Sequence, residues 1–240
     1  MGYEFLWGNL ILAFVFAIGF ILRKDLRKPM VWSGIFYVAV LAIGFSIFKV
    51  GQIFFPIVPT RTIVPGYWEP KTLFNLGKFT GGFGIEDAIF MFFIGGIAAN
   101  LYETFFKKRI KAVKKPHRHL RAFLIAGFAS SLFSIFTDYN LIYSLIIFGF
   151  AGAFVIWRER PDLITHSVKG GVAFLTVYVI SFWVFNQFFP NFVVENYNFG
   201  SISGVLVFGI PLEEFFYSLS FGLMWAPIYE YEHGEKDINL

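Results

Sequence analysis

Pro211-Leu212-Glu213-Glu214-Phe215-Phe216-Tyr217 opens an apolar stretch that closes on Tyr229-Glu230, and Gly84-Ile85-Glu86-Asp87 opens an earlier one that closes on Tyr102-Glu103. The two openings lie 127 residues apart, and the gap from first to last glutamate is 17 residues in both. Gly95 and Gly222 match at the same spacing, as do Ala99 and Ala226. The pattern reads as a duplicated unit. Carboxylates at a membrane segment are costly, so their repetition points to chemistry or transport rather than to packing.

The rest of the chain supports a membrane setting. Hydrophobic residues make up 57% of it and charged residues 15%, a balance with long uncharged runs that excludes an ordinary soluble domain. There is no cysteine, so neither a disulfide framework nor a thiolate site is available. The first apolar run lacks a basic n-region and a small-residue cleavage site and reads as a retained helix. The basic pI follows from cationic membrane loops, so no nucleic-acid partner is expected.

A helix needs roughly 20 apolar residues to cross the hydrocarbon core. Seven spans are predicted, near 3–22, 31–55, 84–106, 120–137, 139–157, 168–189 and 204–227. The fold class expected is therefore all-α and polytopic, with seven transmembrane helices. Residues 56–83, with four prolines and several glycines, read as a loop that lies on the surface or folds back over the helix mouths. Residues 231–240 read as a frayed tail.

Lys and Arg concentrate after the first, third and fifth spans, at Arg23–Lys28, Lys107–Arg121 and Arg158–Lys169. The other side carries only Lys49, Arg61, Lys71 and Lys78. The positive-inside rule then places the N-terminus outside and the C-terminus in the cytoplasm of a plasma-membrane protein. Residues 1–112 form one three-helix repeat, 113–138 a linker helix and 139–240 the second repeat. The linker restores the direction, giving a 3+1+3 arrangement with parallel repeats. Both acidic pairs then face a shared interior near the outer mouth, and Glu103 and Glu230 lie at the cytoplasmic ends.

Acidic residues suit the first turn of a helix, so a simple cap is one reading of Glu86 and Glu213. A double acid that occurs twice, with matched Tyr-Glu endings, suggests more. A carboxyl group held out of water keeps its proton, and a second carboxylate nearby reinforces this. Such a pair provides an acid and a base. Aromatic faces such as Phe90, Phe215, Phe216 and Tyr217 can stabilise a passing carbocation. Bulk for packing or lipid contact is the plainer reading of most of these rings.

At these residues the chain resembles the flavin-independent membrane lycopene cyclases of the heterodimeric bacterial and archaeal type and the fused fungal type. That family carries Pro-x-Glu-Glu/Asp at the start of the third helix of each unit. Pro211-Leu212-Glu213-Glu214 looks like the full signature and Gly84-Ile85-Glu86-Asp87 like a degenerate copy. The Tyr-Glu endings, the basic stretches after each first helix, Gly66-Tyr67-Trp68 and Asn196-Tyr197-Asn198 are also similar. Gly84 replaces the family's Pro, and Ala88-Ile89 replace the aromatic pair, so the first half is either a supporting partner or shapes the cavity differently.

The resemblance implies a redox-neutral cyclisation of the acyclic end groups of lycopene or a related carotenoid to ionone-type rings. Glu213 or Glu214 would donate the proton, with Glu86 and Asp87 tuning that acid or accepting the released proton. Phe90, Phe215, Phe216, Tyr217, Trp68, Tyr197, Glu103 and Glu230 are the candidate substrate-binding residues. The polyene would enter from the bilayer, with lipid as the other partner; a homo-oligomer is left open. No cofactor is expected: Gly81-Gly82-Phe83-Gly84 lacks the dinucleotide spacing, and the last span has no lysine for a retinal Schiff base. No metal site is expected either. The aspartates are scattered, and His117, His119, His166 and His233 read as solvated. Alternatives are a proton-coupled or small-solute transporter with 3+1+3 repeats and a non-catalytic carotenoid-binding subunit. Glu213-Glu214 lacks the following Arg and partner histidine of CAAX-type intramembrane proteases.

Overall fold

The computed structural model describes residues 3–55, 61–80, 83–112 and 120–239. Pro56, Pro59, Gly81, Gly82, Lys114, Lys115, His117, Arg118 and His119 lie outside the described residues. The helices are α1 (Glu4–Leu22), α2 (Arg27–Phe54), α3 (Leu76–Thr80), α4 (Ile85–Phe105), α5 (Arg121–Phe136), α6 (Leu141–Glu159), α7 (Ile164–Phe188), α8 (Phe192–Asn196), α9 (Leu212–Trp225) and α10 (Ile228–His233). Two small antiparallel ribbons join β1 (Lys108–Ala112) to β4 (Glu235–Asn239) and β2 (Leu206–Val207) to β3 (Ile210–Pro211).

The protein is nearly all-α. Among the described residues, five segments are long and apolar enough to cross a membrane: Glu4–Leu22, Lys24–Phe54, Ile85–Phe105, Leu141–Glu159 and Pro161–Phe188. The other two expected spans form shorter helices, α5 with 16 residues and α9 with 14. The shortening of the last one has a local cause. Residues 204–211 were expected to be helical but turn back as the β2–β3 hairpin, because Phe208 and Gly209 both take positive φ, the conformation a two-residue hairpin turn requires. Outward-facing side chains are apolar: Ile53 is 74% and Leu124 71% exposed, which fits a lipid-facing surface.

Each repeat is built on its third helix. In the first, α1 and α2 both pack on α4; in the second, α6 and α7 both pack on α9. The close crossings are equivalent. A Cβ on Gly95 would stand 2.9 Å from the Ser33 carbonyl and 3.2 Å from the Gly34 Cα. One on Gly222 would stand 2.9 Å from the Gly171 Cα and 3.0 Å from its carbonyl. Backbones can approach this closely only where the crossing residues are small.

The turns after α1 and α6 repeat as well. Arg23 grips Asp25 and donates from Nη1 to the Glu103 carbonyl at 2.6 Å. Arg160 grips Asp162 and donates from Nη1 to the Glu230 carbonyl at 3.1 Å. In the first repeat the guanidinium covers a carbonyl in the last turn of α4, where helical partners run out. In the second it reaches α10, the short helix after α9, at a carbonyl that also accepts the Gly234 N–H.

Several backbone groups inside the bundle are matched by nearby side chains, as a membrane interior favours. Pro227 has no N–H for the Leu223 carbonyl, and the Ser167 hydroxyl donates to that carbonyl instead, itself receiving the Trp157 indole N–H at 2.7 Å. Asn140 caps α6 by accepting the Ile142 N–H at 3.0 Å. Arg61 donates to the carbonyls of Ser134, Thr137 and Tyr139 and so closes the C-terminal end of α5. The tail expected to fray does not: residues 235–239 pair with residues 108–112, and Tyr231 and Glu232 are buried.

Candidate functional site

The acidic residues separate by position within each pair. The first member holds the loop that precedes its helix. Glu86 accepts the Leu73 N–H at 2.6 Å, and Glu213 accepts the Ser203 N–H at 2.8 Å and the Tyr143 hydroxyl at 2.7 Å. The second member, Asp87 or Glu214, lines a cavity of about 120 Å³. That cavity has no lining contribution from Glu86 or Glu213.

Glu214 is held by three phenols. Oε1 accepts from Tyr67 at 2.8 Å and Tyr197 at 2.9 Å, and Oε2 accepts from Tyr178 at 2.7 Å. Tyr67 and Tyr197 sit in loops outside the spans. Burial, and then the adjacent carboxylate, push both hydroxyls well above the ordinary tyrosine range, so they remain donors. Asp87 accepts the Gly84 N–H at 2.8 Å through Oδ2, within its own first turn. Asn9, also on the cavity wall, donates to the Glu86 carbonyl at 3.1 Å.

The two loops that cap this end pair with each other. Trp68 and Tyr197 form an antiparallel bridge, flanked by Glu69 N–H to the Asn196 carbonyl at 2.8 Å and Asn198 N–H to the Tyr67 carbonyl at 2.9 Å. The Trp68 ring packs edge-on against Phe5 at 4.6 Å. The loop expected to lie on the surface or fold back does the latter here.

Among the candidate substrate-binding residues, Phe90, Tyr217, Trp68 and Tyr197 line the cavity. The Tyr217 hydroxyl lies 2.8 Å from that of Tyr37. Phe215 and Phe216 do not line it, and Phe216 is 47% exposed: the helical turn that aims Glu214 and Tyr217 inward sends Phe216 out. Glu103 and Glu230 do not line it either. They belong to a separate cluster that includes His166, whose Nε2 lies 3.4 Å from Glu103 and whose Nδ1 lies 4.0 Å from Glu230. His166 was expected to be solvated but is buried and stacked on Tyr102 at 4.3 Å, because α7 begins at Ile164 and carries it inward. One ligand atom from each of Glu103, His166 and Glu230 lies within 4.8 Å of the others, the one set among the described residues with the spacing to hold a metal ion. His233 also packs, stacked on Tyr229 at 4.1 Å.

Residue-level reading missed Tyr67 and Tyr178 as partners of Glu214. A hydroxyl-bearing ring in the middle of an apolar span marks Tyr178 as unusual but does not name its partner, 36 residues away.

The sequence profile described as lycopene cyclase matches residues 4–105 and 140–232, most of the chain. The chain belongs to the lycopene cyclase family. The two matched segments correspond to the two halves described above, and the gap between them contains α5. Family membership makes the chain an integral membrane protein and an enzyme of the cyclase type, acting in carotenoid cyclisation. No curated protein and no solved structure matches it.

Proposed function

We propose that this protein closes the acyclic ends of lycopene, or of a related acyclic carotenoid, into ionone-type rings by acid catalysis. The observation that carries this reading is the pair of carboxylates, Asp87 and Glu214, one from each repeat, on a single aromatic cavity. Protonation of carbon 2 of the end group gives a tertiary cation. The neighbouring double bond attacks it and closes a six-membered ring, and loss of a proton from an adjacent carbon leaves the new double bond. No electrons enter or leave, so the chemistry asks for an acid, a base, dryness and cation-stabilising walls.

The cavity fits those requirements. Phe5, Phe45, Trp68, Phe90, Phe182, Phe185 and Phe192 supply its aromatic wall, and ring faces attract cations. A space of about 120 Å³ takes the end of a long polyene rather than its whole length, so the rest of the substrate would remain in lipid. In this reading the polyene enters sideways from the bilayer of the plasma membrane, with the N-terminus outside and the cavity near the outer mouth. Each repeat, 1–112 and 139–240, contributes one acid.

The test is expression in a lycopene-accumulating bacterial host, with pigments resolved by chromatography. Cyclic products are expected, and their loss in both Asp87→Asn and Glu214→Gln. Unchanged lycopene with good membrane expression would remove lycopene as the substrate.

A further inference from the structure

We infer that the two cavity acids have different roles: Asp87 gives the proton, and Glu214 is the fixed counter-ion that afterwards accepts one. This rests on the cyclase reading above.

The argument comes from how the repeats differ. Gly34 and Gly171 make equivalent crossings, as do Gly95 and Gly222, so the second and third helices of the repeats correspond at spacings of 137 and 127 residues. By the first spacing Leu41 stands where Tyr178 does; by the second, Phe90 stands where Tyr217 does and Asp87 where Glu214 does. Across the loop bridge, Trp68 faces Tyr197. All six of these neighbours line the cavity, and the first-repeat member of each pair lacks the hydroxyl that the second-repeat member carries.

The consequence is chemical. An ionised carboxylate is acceptor-only and takes all three phenolic hydrogens that reach Glu214. A protonated one would have to place its own hydrogen among them. Asp87 accepts the Gly84 N–H, and the first-repeat counterparts Leu41, Phe90 and Trp68 bring no hydroxyl to hold a second negative charge, which suits the neutral acid. One charged and one neutral carboxyl group facing the same cavity is the arrangement that proton donation followed by proton acceptance requires.

In the reaction, the Asp87 proton bonds to carbon 2 using the electron pair of the terminal double bond, which leaves the cation on carbon 1. The next double bond supplies the pair for the ring-closing bond and moves the charge to carbon 5. Glu214 removes a proton from a carbon beside it, and that C–H pair becomes the new double bond. The product is an isomer of the substrate. The proton returns from Glu214 to Asp87 once the product has left.

The test separates the roles by binding. N,N-dimethyldodecylamine, protonated at neutral pH, mimics the cation, and dodecanol is its neutral control. Binding to purified protein in nanodiscs is read from tryptophan fluorescence, since Trp68 lines the cavity. Wild type and Asp87→Asn are expected to prefer the amine by about tenfold or more, and Glu214→Gln to lose that preference. Circular dichroism and size exclusion confirm that each variant is folded. A preference that survives Glu214→Gln, or that disappears in Asp87→Asn, overturns the assignment even if the wild type cyclises lycopene. A preference that follows Glu214 in a protein that cyclises no carotenoid upholds the counter-ion and removes the cyclase reading instead.

Discussion

The Ser203 N–H donates to the Glu213 carboxylate across 2.8 Å, and Glu86 accepts the Leu73 N–H in the corresponding way. In each repeat the first acid anchors a loop, and this leaves the second acid to face the cavity.

Glu213→Gln is therefore expected to keep most of the cyclase activity, because the amide oxygen can accept the same N–H and the Tyr143 hydroxyl. Glu213→Ala leaves both donors without an acceptor and is expected to lower stability by about 1–3 kcal/mol. Thermal midpoints in detergent, together with pigment conversion, test the pair. A Glu213→Gln variant as inactive as Glu214→Gln would return Glu213 to the chemistry.

The three phenols on Glu214 give a second prediction. Tyr178→Phe removes the donor to Oε2, and Tyr197→Phe removes one of two donors to Oε1. Hydrogen bonds to a charged group contribute about 1.5–3 kcal/mol, so each change is expected to slow conversion about tenfold or more. Because both act on one carboxylate, the double variant is not expected to show the simple sum. Tyr37→Phe is the comparison, since the Tyr37 hydroxyl bonds to that of Tyr217. Equal losses from Tyr37→Phe and Tyr178→Phe would show that ring packing, not donation to Glu214, is being measured.

The duplicated acids and Tyr-Glu dipeptides made the two-repeat architecture legible, because a repeat needs only spacing to be recognised. The split within each acidic pair was not legible. Glu213 and Glu214 are adjacent in sequence, and only the helix start at Leu212 decides which points to Ser203 and which to the cavity. The partner of Tyr178 was not legible either, because it is 36 residues away. His166 reads as a solvated residue at a helix entrance, but the short turn Pro161–Leu163 passes directly into α7 and places it two residues inside that helix. The last helix was read too long because 204–207 is apolar enough to continue it, while the positive φ at Phe208 and Gly209 shows only in the fold.

The glycine crossings predict a sharp positional contrast. Gly222→Ala puts a methyl 2.9 Å from the Gly171 Cα, where only backbone could yield, and Gly95→Ala does the same to the Ser33 carbonyl. Overpacking of this kind typically costs about 1–3 kcal/mol. Gly44→Ala meets nothing within 4 Å and replaces a helical glycine, so it is expected to be neutral or stabilising by up to about 1 kcal/mol. Thermal unfolding of the three variants checks this, and a Gly222→Ala protein as stable as Gly44→Ala would show that the crossing has slack.

The loop tyrosines make stability depend on alkaline pH. In the unfolded chain Tyr67 and Tyr197 ionise near the ordinary value of 10.0; in the fold, burial and then the Glu214 charge hold both well above it. Below that ordinary value both states are protonated and the stabilisation is fully present. As pH rises past it the unfolded chain loses protons that the fold retains, so unfolding becomes progressively easier. The thermal midpoint is expected to fall between about pH 9 and about pH 11, and to fall less steeply in Tyr67→Phe, which has one fewer such group. Absorbance at the tyrosinate band should show both phenols ionising only together with unfolding. A Tyr67→Phe protein with the wild-type slope would mean that Tyr67 titrates freely in the fold, which its bond to the buried Glu214 carboxylate does not allow.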